Sequence, residues 1–272
     1  MSPDNKNVAD YWNARPCNVR HSTKPMSSSA YAHETEARKY FVEPHIPPFA
    51  DFPRWHNKQV LEIGCGIGIA AINFAQWGAR VTAVDISSES IAVARLRAEA
   101  LGVDDRITFL CADAENLSQH LAPMPYDLVY AWGSLHHTTK PEQIVSQVWQ
   151  HYTAPGSLFK VMVYHRHSYK VAMLLLTHFW KILEGVDSVV SAGSEAQTNC
   201  PVTKSYTRDS ARRLLSGFNV TDMQVEHIFP YSVPAYRRHM YVKKWLFKPI
   251  PTNLFRRLER HFGWHLCINA TR

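Results

Sequence analysis

The sequence contains no close pair of cysteines. Cys17, Cys65, Cys111, Cys200 and Cys267 are scattered and odd in number, so neither a zinc-ligand spacing nor a disulfide framework is visible. A reduced, cytoplasmic setting fits that usage. Long hydrophobic runs are also missing. The longest, Val171 to Trp180, is interrupted by His178 and is too short to span a bilayer. Met1 to Asp10 is polar and lacks the apolar core of a signal peptide, so a soluble protein without a transmembrane segment is expected. Internal repeats and low-complexity tracts are absent. Acidic residues are scarce at one end: from Arg237 onward, nine lysines and arginines face Glu259 alone. A block of that sign suits nucleic acid, anionic lipid or an acidic substrate, although charge runs are more often plain solvated surface.

The chain has 272 residues and 46% hydrophobic content, enough for one large domain or two small ones with a sizeable core. Its organising stretch is Val60-Leu-Glu-Ile-Gly-Cys-Gly-Ile-Gly68. Val60 to Ile63 reads as a buried parallel strand. Gly64 to Gly68 reads as a tight turn whose glycines admit positive φ and close approach of a ligand to bare backbone. Ile69 to Trp77 carries a helical apolar pattern. Strand, glycine turn and helix in that order build the nucleoside-binding corner of a doubly wound sheet. A dinucleotide fingerprint requires a small residue at position 69, and Ile69 stands there. Glu62, two positions before the first glycine, suits a ligand bearing an ammonium group better than a pyrophosphate.

Arg80 to Val84 is a second strand, and Asp85 follows 21 positions after Gly64. An acceptor at that place meets two vicinal ribose hydroxyls in both nicotinamide and adenosylmethionine proteins. Ile86 is placed to pack on an adenine face, and Ser87 reads as the N-cap of a helix to about Ala100. Arg106 to Leu110 is a third strand, leading to Asp113 and Ala114. Tyr126 to Ala131 is a fourth, ending in Trp132-Gly-Ser-Leu-His136-His137. Ser157 to Tyr164 is a fifth, and its end, Tyr164-His165-Arg166-His167, lies at the carboxyl edge where open α/β sheets bind ligands.

From Val60 to about Val163 these motifs, in this order, resemble the class I S-adenosylmethionine-dependent methyltransferases, in particular the small-molecule branch that includes ubiquinone and natural-product enzymes. The resemblance implies an α/β, Rossmann-like doubly wound sheet of seven strands, mostly parallel with the last antiparallel. It implies a helical N-terminal cap over residues 1–58 and a methyltransferase domain over 59–272. Within that domain, 168–204 would be an insertion building the acceptor pocket and 231–261 a basic extension outside the sheet. Phe218 to Phe229 and Leu266 to Ala270 would form the closing hairpin. Between them, Tyr169 to Leu183 reads as one helix, Ser188 to Pro201 as a small-residue loop, and Tyr206 to Ser216 as another helix.

The same resemblance implies S-adenosyl-L-methionine as cofactor and S-adenosyl-L-homocysteine as product. The cofactor would be held by Glu62, Gly64, Cys65, Gly66, Gly68, Asp85, Ile86, Asp113, Ala114 and Trp132, with Asp113 receiving the adenine amino group. Arg20, Tyr31 and Tyr40 are candidate contacts from the cap, and Tyr164, Arg166 and Tyr206 from the acceptor side. His136 and His137 are candidate general bases, because an imidazole titrates near neutrality and an oxygen or nitrogen acceptor must lose a proton; His136 is slightly preferred. The histidines, His165 and His167 included, lack a carboxylate at ligand spacing, so no metal is expected. The expected partner is a small-molecule acceptor methylated at O, N, S or C, and a homodimer is compatible with it. Amino-methylating DNA enzymes carry an Asn/Asp/Ser-Pro-Pro-aromatic motif where this chain has Trp132-Gly-Ser-Leu. RNA methylation through the basic segment, and a non-catalytic cofactor-binding subunit, stay as alternatives.

Overall fold

The computed structural model describes residues 3–193 and 199–272. Seven strands form one sheet: β1 (Gln59–Ile63), β2 (Arg80–Asp85), β3 (Ile107–Cys111), β4 (Leu128–Trp132), β5 (Leu158–Tyr164), β6 (Asn219–Glu226) and β7 (His265–Thr271). Their order is β3-β2-β1-β4-β5-β7-β6. β1 to β5 are parallel, and β7 runs antiparallel to both neighbours. The central strands are nearly unbroken apolar runs because helices cover both faces. Leu61, Ile63 and Val129 feed the core on one face, and Val60, Leu128 and Tyr130 the core on the other.

Eleven α-helices are found among the described residues. α1 (Pro3–Ala14), α2 (Ser29–Val42) and the short α3 (Ile46–Ala50) precede the sheet. α2 starts where the Ser28 hydroxyl accepts the Tyr31 amide. α4 (Ile69–Gln76), α5 (Ser88–Ala100) and α6 (Pro141–Gln147) are crossover helices, with Ser87 capping α5 and a proline in the first turn of α6. After β5 come α7 (Tyr169–Thr177), α8 (Val186–Gly193) and α9 (Arg208–Leu214). α10 (Val233–Arg237) and α11 (Thr252–Phe262) lie between β6 and β7.

Two expectations after β5 are corrected. The helix expected to run from Tyr169 to Leu183 stops at Thr177, where His178 leaves helical geometry (φ −128°, ψ 36°). The stretch read as a loop from Ser188 begins inside a helix, α8, which buries Val189 and Val190 completely. Its small residues serve close packing: a Cβ on Gly193 would fall 2.7 Å from Leu174 of α7. Residues 194–198 of that expected loop lie outside the described residues. Both closing strands form where the sequence places them.

The order of strands positions the site. β1 pairs with β2 on one side and β4 on the other, so connections leave in opposite directions and open a crevice at its carboxyl end. The reversed strand adds a second feature. His265, the first residue of β7, pairs with Tyr164, the last of β5, and therefore stands on the same edge.

Candidate active site

A cavity of about 1000 Å³ opens at that edge, within the upper range of ligand sites. Its floor is the glycine turn. Gly64, Gly66 and Gly68 all have positive φ (75°, 53° and 73°). At Gly64 the requirement is also steric, since a Cβ would lie 2.2 Å from that of Ser134. The Ser134 hydroxyl donates to the Ile63 carbonyl (2.7 Å) and locks the ends of β1 and β4 together. Gly64, Cys65 and Gly66 line the cavity; Gly68 does not, and instead lets α4 approach Ala94 of α5. The buried Arg97 holds the turn from behind by donating to the Ile67 carbonyl at 2.5 Å.

Five carboxylates line the cavity, among them Asp85, Asp113 and Glu62. Asp85 accepts the Gly66 amide on one oxygen (2.7 Å) and the Ser87 amide on the other (2.8 Å), which fixes its plane across the end of β2. Burial raises its pKa, and the amides of Ser87, Gly66 and Ile86 hold it back. Asp113 accepts the Glu115 amide (2.9 Å) and the side-chain amide of Asn5 (2.8 Å). Asn5 also reaches Glu115 (2.9 Å), so α1 is tied across the rim of the cavity that Ile86 and Ala114 also line. Glu62 is almost fully buried, and its Oε2 has no hydrogen-bond partner. Burial is the main cause that pushes its pKa up to about 8, with Asp85 adding to the rise and the Ala71 backbone opposing it. A ligand ammonium would meet the unpartnered oxygen.

The cavity also has a largely aromatic part of its lining, Trp132, Tyr164, Phe229, Phe262 and Trp264 with Met162, here called the aromatic compartment. Tyr164 and Trp264 stack with centroids 4.0 Å apart. Arg38, Lys39, Lys170, Arg237 and Lys244 stand around it. Part of the basic segment thus folds over the site. The Arg38 guanidinium lies 4.1 Å from the Tyr236 ring and donates to the Tyr236 carbonyl (2.5 Å), joining α2 to α10. Arg20 and Tyr40 of the N-terminal segment also reach the cavity. Tyr31 does not: its hydroxyl donates to the Val19 carbonyl and its ring is buried behind the wall.

The two histidines after β4 share a single 3-10 turn, Leu135–His137, with ring centroids 4.3 Å apart, yet their surroundings differ. His137 lines the cavity. Its Nδ1 lies 3.0 Å from the Val202 carbonyl, with the Thr203 hydroxyl at 3.3 Å and the Cys200 thiol at 3.5 Å; a hydrogen on Nδ1 would serve the carbonyl and leave the lone pair of the neutral ring on Nε2. His136 is wholly buried against Tyr164 (centroids 3.7 Å apart), with neither ring nitrogen hydrogen-bonded. Burial, then His137 and Lys170, hold its pKa far below the usual value.

Tyr164 lies on the wall as expected, but Arg166 and Tyr206 do not reach it. Arg166 is turned away by Asp187 (2.9 Å) and Ser205 (3.1 Å). Tyr206 packs in the core under β5, drawn there by backbone pairing across Tyr164 to Arg166. Sequence reasoning missed Asn5, Trp12, Arg38, Glu43, His227 and His265, all of which line the cavity. The only local signal among them was the proline that ends α2 just after Glu43.

A methyltransferase-domain family matches residues 60–156, which run from β1 to the turn before β5 and hold the glycine turn, Asp85, Asp113 and His137. Residues 60–156 carry a methyltransferase domain. Among curated proteins the chain is 30% identical over 154 residues to the tRNA 5-carboxymethoxyuridine methyltransferase of Escherichia coli (strain K12), covering 57% of this chain and 55% of that one. It is 38% identical over 89 residues to the ubiquinone biosynthesis O-methyltransferase of Chromobacterium violaceum, covering 33% and 37%. The chain thus spans about half the length, or less, of these relatives. The magnesium protoporphyrin IX methyltransferase of Synechocystis PCC 6803, solved with bound S-adenosylhomocysteine, has the same fold. That structure aligns over 99% of both chains with a TM-score of 0.60 at 15% identity. No helix among the described residues is long and apolar enough to cross a membrane.

Proposed function

We propose that the chain binds S-adenosylmethionine and methylates a hydroxyl or amine of an anionic, ring-bearing small molecule. The observation that carries this reading is one continuous cavity, joining the Glu62, Asp85 and Asp113 wall to an aromatic compartment ringed by cations. When bound, S-adenosylmethionine supplies a methyl group on a sulfonium, already a strong leaving group. The chain's own work is then binding, orientation and proton removal. Asp85, with each oxygen held by one amide, keeps lone pairs for two ribose hydroxyls. Asp113 offers an acceptor to the adenine amino group, which Asn5 must share or vacate. Glu62 fits the ammonium through its unpartnered oxygen.

Trp132, Tyr164 and Trp264 would hold a planar acceptor, and orientation of this kind supplies roughly 7–11 kcal/mol of barrier reduction. His137 Nε2 is the candidate base, worth about 10²–10⁴-fold. The test is a turnover screen of phenolic and heteroaromatic acids against their neutral esters, with S-adenosylhomocysteine release as readout. Preference for the free acids supports the reading. Turnover confined to the esters, or to RNA, refutes it.

The basic segment and the tRNA-modifying relative favour one second reading, methylation of a nucleotide carried in RNA. In its favour, α11 bears Arg256, Arg257 and Arg260. Against it, Arg38 and Arg237 stand on the cavity wall, where a small anion can meet them. A third reading, a non-catalytic cofactor-binding subunit, would be supported by cofactor binding without turnover on any acceptor.

A further inference from the structure

The fold brings together donor atoms that no sequence spacing connects. Glu43 caps the end of α2, His45 follows one residue beyond Pro44, and His265 opens β7. His227 follows β6 with φ 74° and lays its ring 4.6 Å from that of His265 and 5.6 Å from that of His45. His45 Nε2 is 2.9 Å from His265 Nδ1, and His265 Nδ1 is 3.9 Å from Glu43 Oε2. One ligand atom from each of Glu43, His45 and His265 falls within 4.8 Å of the other two. Donors around a tetrahedral ion bound at about 2.0–2.2 Å stand roughly 3.3–3.6 Å apart, so side-chain shifts on the order of an ångström would seat one.

A second, independent observation is that Glu43 Oε2 is buried and has no hydrogen-bond partner, while Oε1 takes the Lys39 ammonium at 2.6 Å. Imidazole nitrogens and a carboxylate oxygen are thus gathered at one place, each able to offer a lone pair. Neutral imidazoles with one carboxylate suit Zn²⁺ and its borderline neighbours rather than Mg²⁺ or Ca²⁺.

We propose that Glu43, His45 and His265, flanked by His227, bind one divalent transition-metal ion of the Zn²⁺ class on the wall of the acceptor compartment. Glu43, His227 and His265 line the cavity, and Trp132 lies 5.5 Å from the His45 ring and 5.6 Å from that of His265. An ion held there would therefore lie beside the end of β4, within reach of an acceptor oxygen in the cavity. The ion would orient that oxygen and favour its deprotonated form. The Lys39 charge works against the ion, so affinity below that of a thiolate-rich structural site follows. Metal binding is a property of this cluster alone and stands whether or not the methyl-transfer reading holds.

The test is titration of the chelator-treated, tag-free chain with Co²⁺, following visible d–d absorbance and heat, then displacement by Zn²⁺. One equivalent should saturate a single site, and Zn²⁺ should bleach the bands. Glu43→Gln and His45→Gln, each checked for fold by circular dichroism, should weaken binding by at least roughly 10–100-fold. His265→Gln should do the same, but it is buried, and should it fail to fold the other two variants decide. Absence of saturable one-to-one binding, or wild-type affinity in both folded variants, overturns the proposal.

Discussion

Glu62 ties the cofactor reading to a proton that can be counted. With its carboxyl raised from 4.5 to about 8, the group is about nine-tenths protonated at pH 7 before any ligand arrives. An ammonium placed against the buried Oε2 favours the charged carboxylate. Binding of S-adenosylhomocysteine at pH 7 should then release close to one proton. Affinity should tighten about ninefold between pH 6 and pH 7, since only the deprotonated fraction binds productively. Above about pH 8 a free α-amino group itself begins to lose its proton, and the gain should stop.

The assay is calorimetry in two buffers of different ionisation enthalpy. The buffer-dependent part of the heat measures the proton. 5′-Methylthioadenosine, which lacks the amino acid, should bind without release, and Glu62→Gln should abolish release for S-adenosylhomocysteine. That variant also separates Glu62 from Asp85, whose carboxyl is likewise raised by burial. The same group predicts a stability effect with a definite sign. Between 4.5 and about 8 the native chain holds a proton that the unfolded chain has released, so ligand-free stability falls as pH rises through that window. At about 1.4 kcal/mol per pH unit, the full cost above pH 8 is up to roughly 5 kcal/mol. Glu62→Gln should therefore gain stability over wild type at pH 8–9, and little at pH 4. Buffer-independent heat for S-adenosylhomocysteine, or equal release by wild type and Glu62→Gln, would refute the reasoning.

Asp85→Ala should weaken S-adenosylhomocysteine by about 1.5–3 kcal/mol, the scale of charge-assisted hydrogen bonds, in a folded variant followed by calorimetry. His137→Asn should lower single-turnover methyl transfer by roughly 10²-fold or more while cofactor affinity holds. Equal loss in His136→Asn with an intact fold would show that the buried ring matters in its own right. Gly64→Ala should abolish cofactor binding or folding, because the added methyl meets Ser134 at 2.2 Å; a stable variant with normal affinity would show that β1 and β4 can part there. RNA binding should be weak at physiological salt. A steep fall of tight binding with added salt would instead mark the basic segment as a phosphate platform.

What could be read from the sequence was whatever is set by local chain geometry. The glycine turn is legible because positive φ selects glycine at consecutive sharp corners, here at 64, 66 and 68. Asp85 is legible because a strand, a helix and a second strand fix how far along the chain the neighbouring strand ends. The choice between His136 and His137 was not, since adjacent residues on one 3-10 turn differ only in direction, and that is set by packing on Tyr164 and Val202. In the sequence Arg166 and Tyr206 stand near the right strand end, which points to the acceptor pocket. Asp187 and the backbone bonds between 164–166 and 206 turn them elsewhere. α8 was hidden by its small residues, which look like loop composition until α7 is there to receive them.

The histidine cluster shows the same limit most sharply. His45, His227 and His265 have no periodic relation, and each alone reads as an ordinary buried ring. They meet because β7 is the one reversed strand among those at the edge. In a parallel sheet, residues at the amino end of a strand lie on the side away from the ligand crevice. Reversal carries His265 to the crevice, opposite Tyr164, and the chain leaving β6 delivers His227 beside it. The proline that ends α2 supplies Glu43 and His45 from the other side. A site of that kind is specified by topology, so the antiparallel strand that closes the sheet also furnishes the acceptor compartment with chemistry that the glycine-turn half of the fold does not possess.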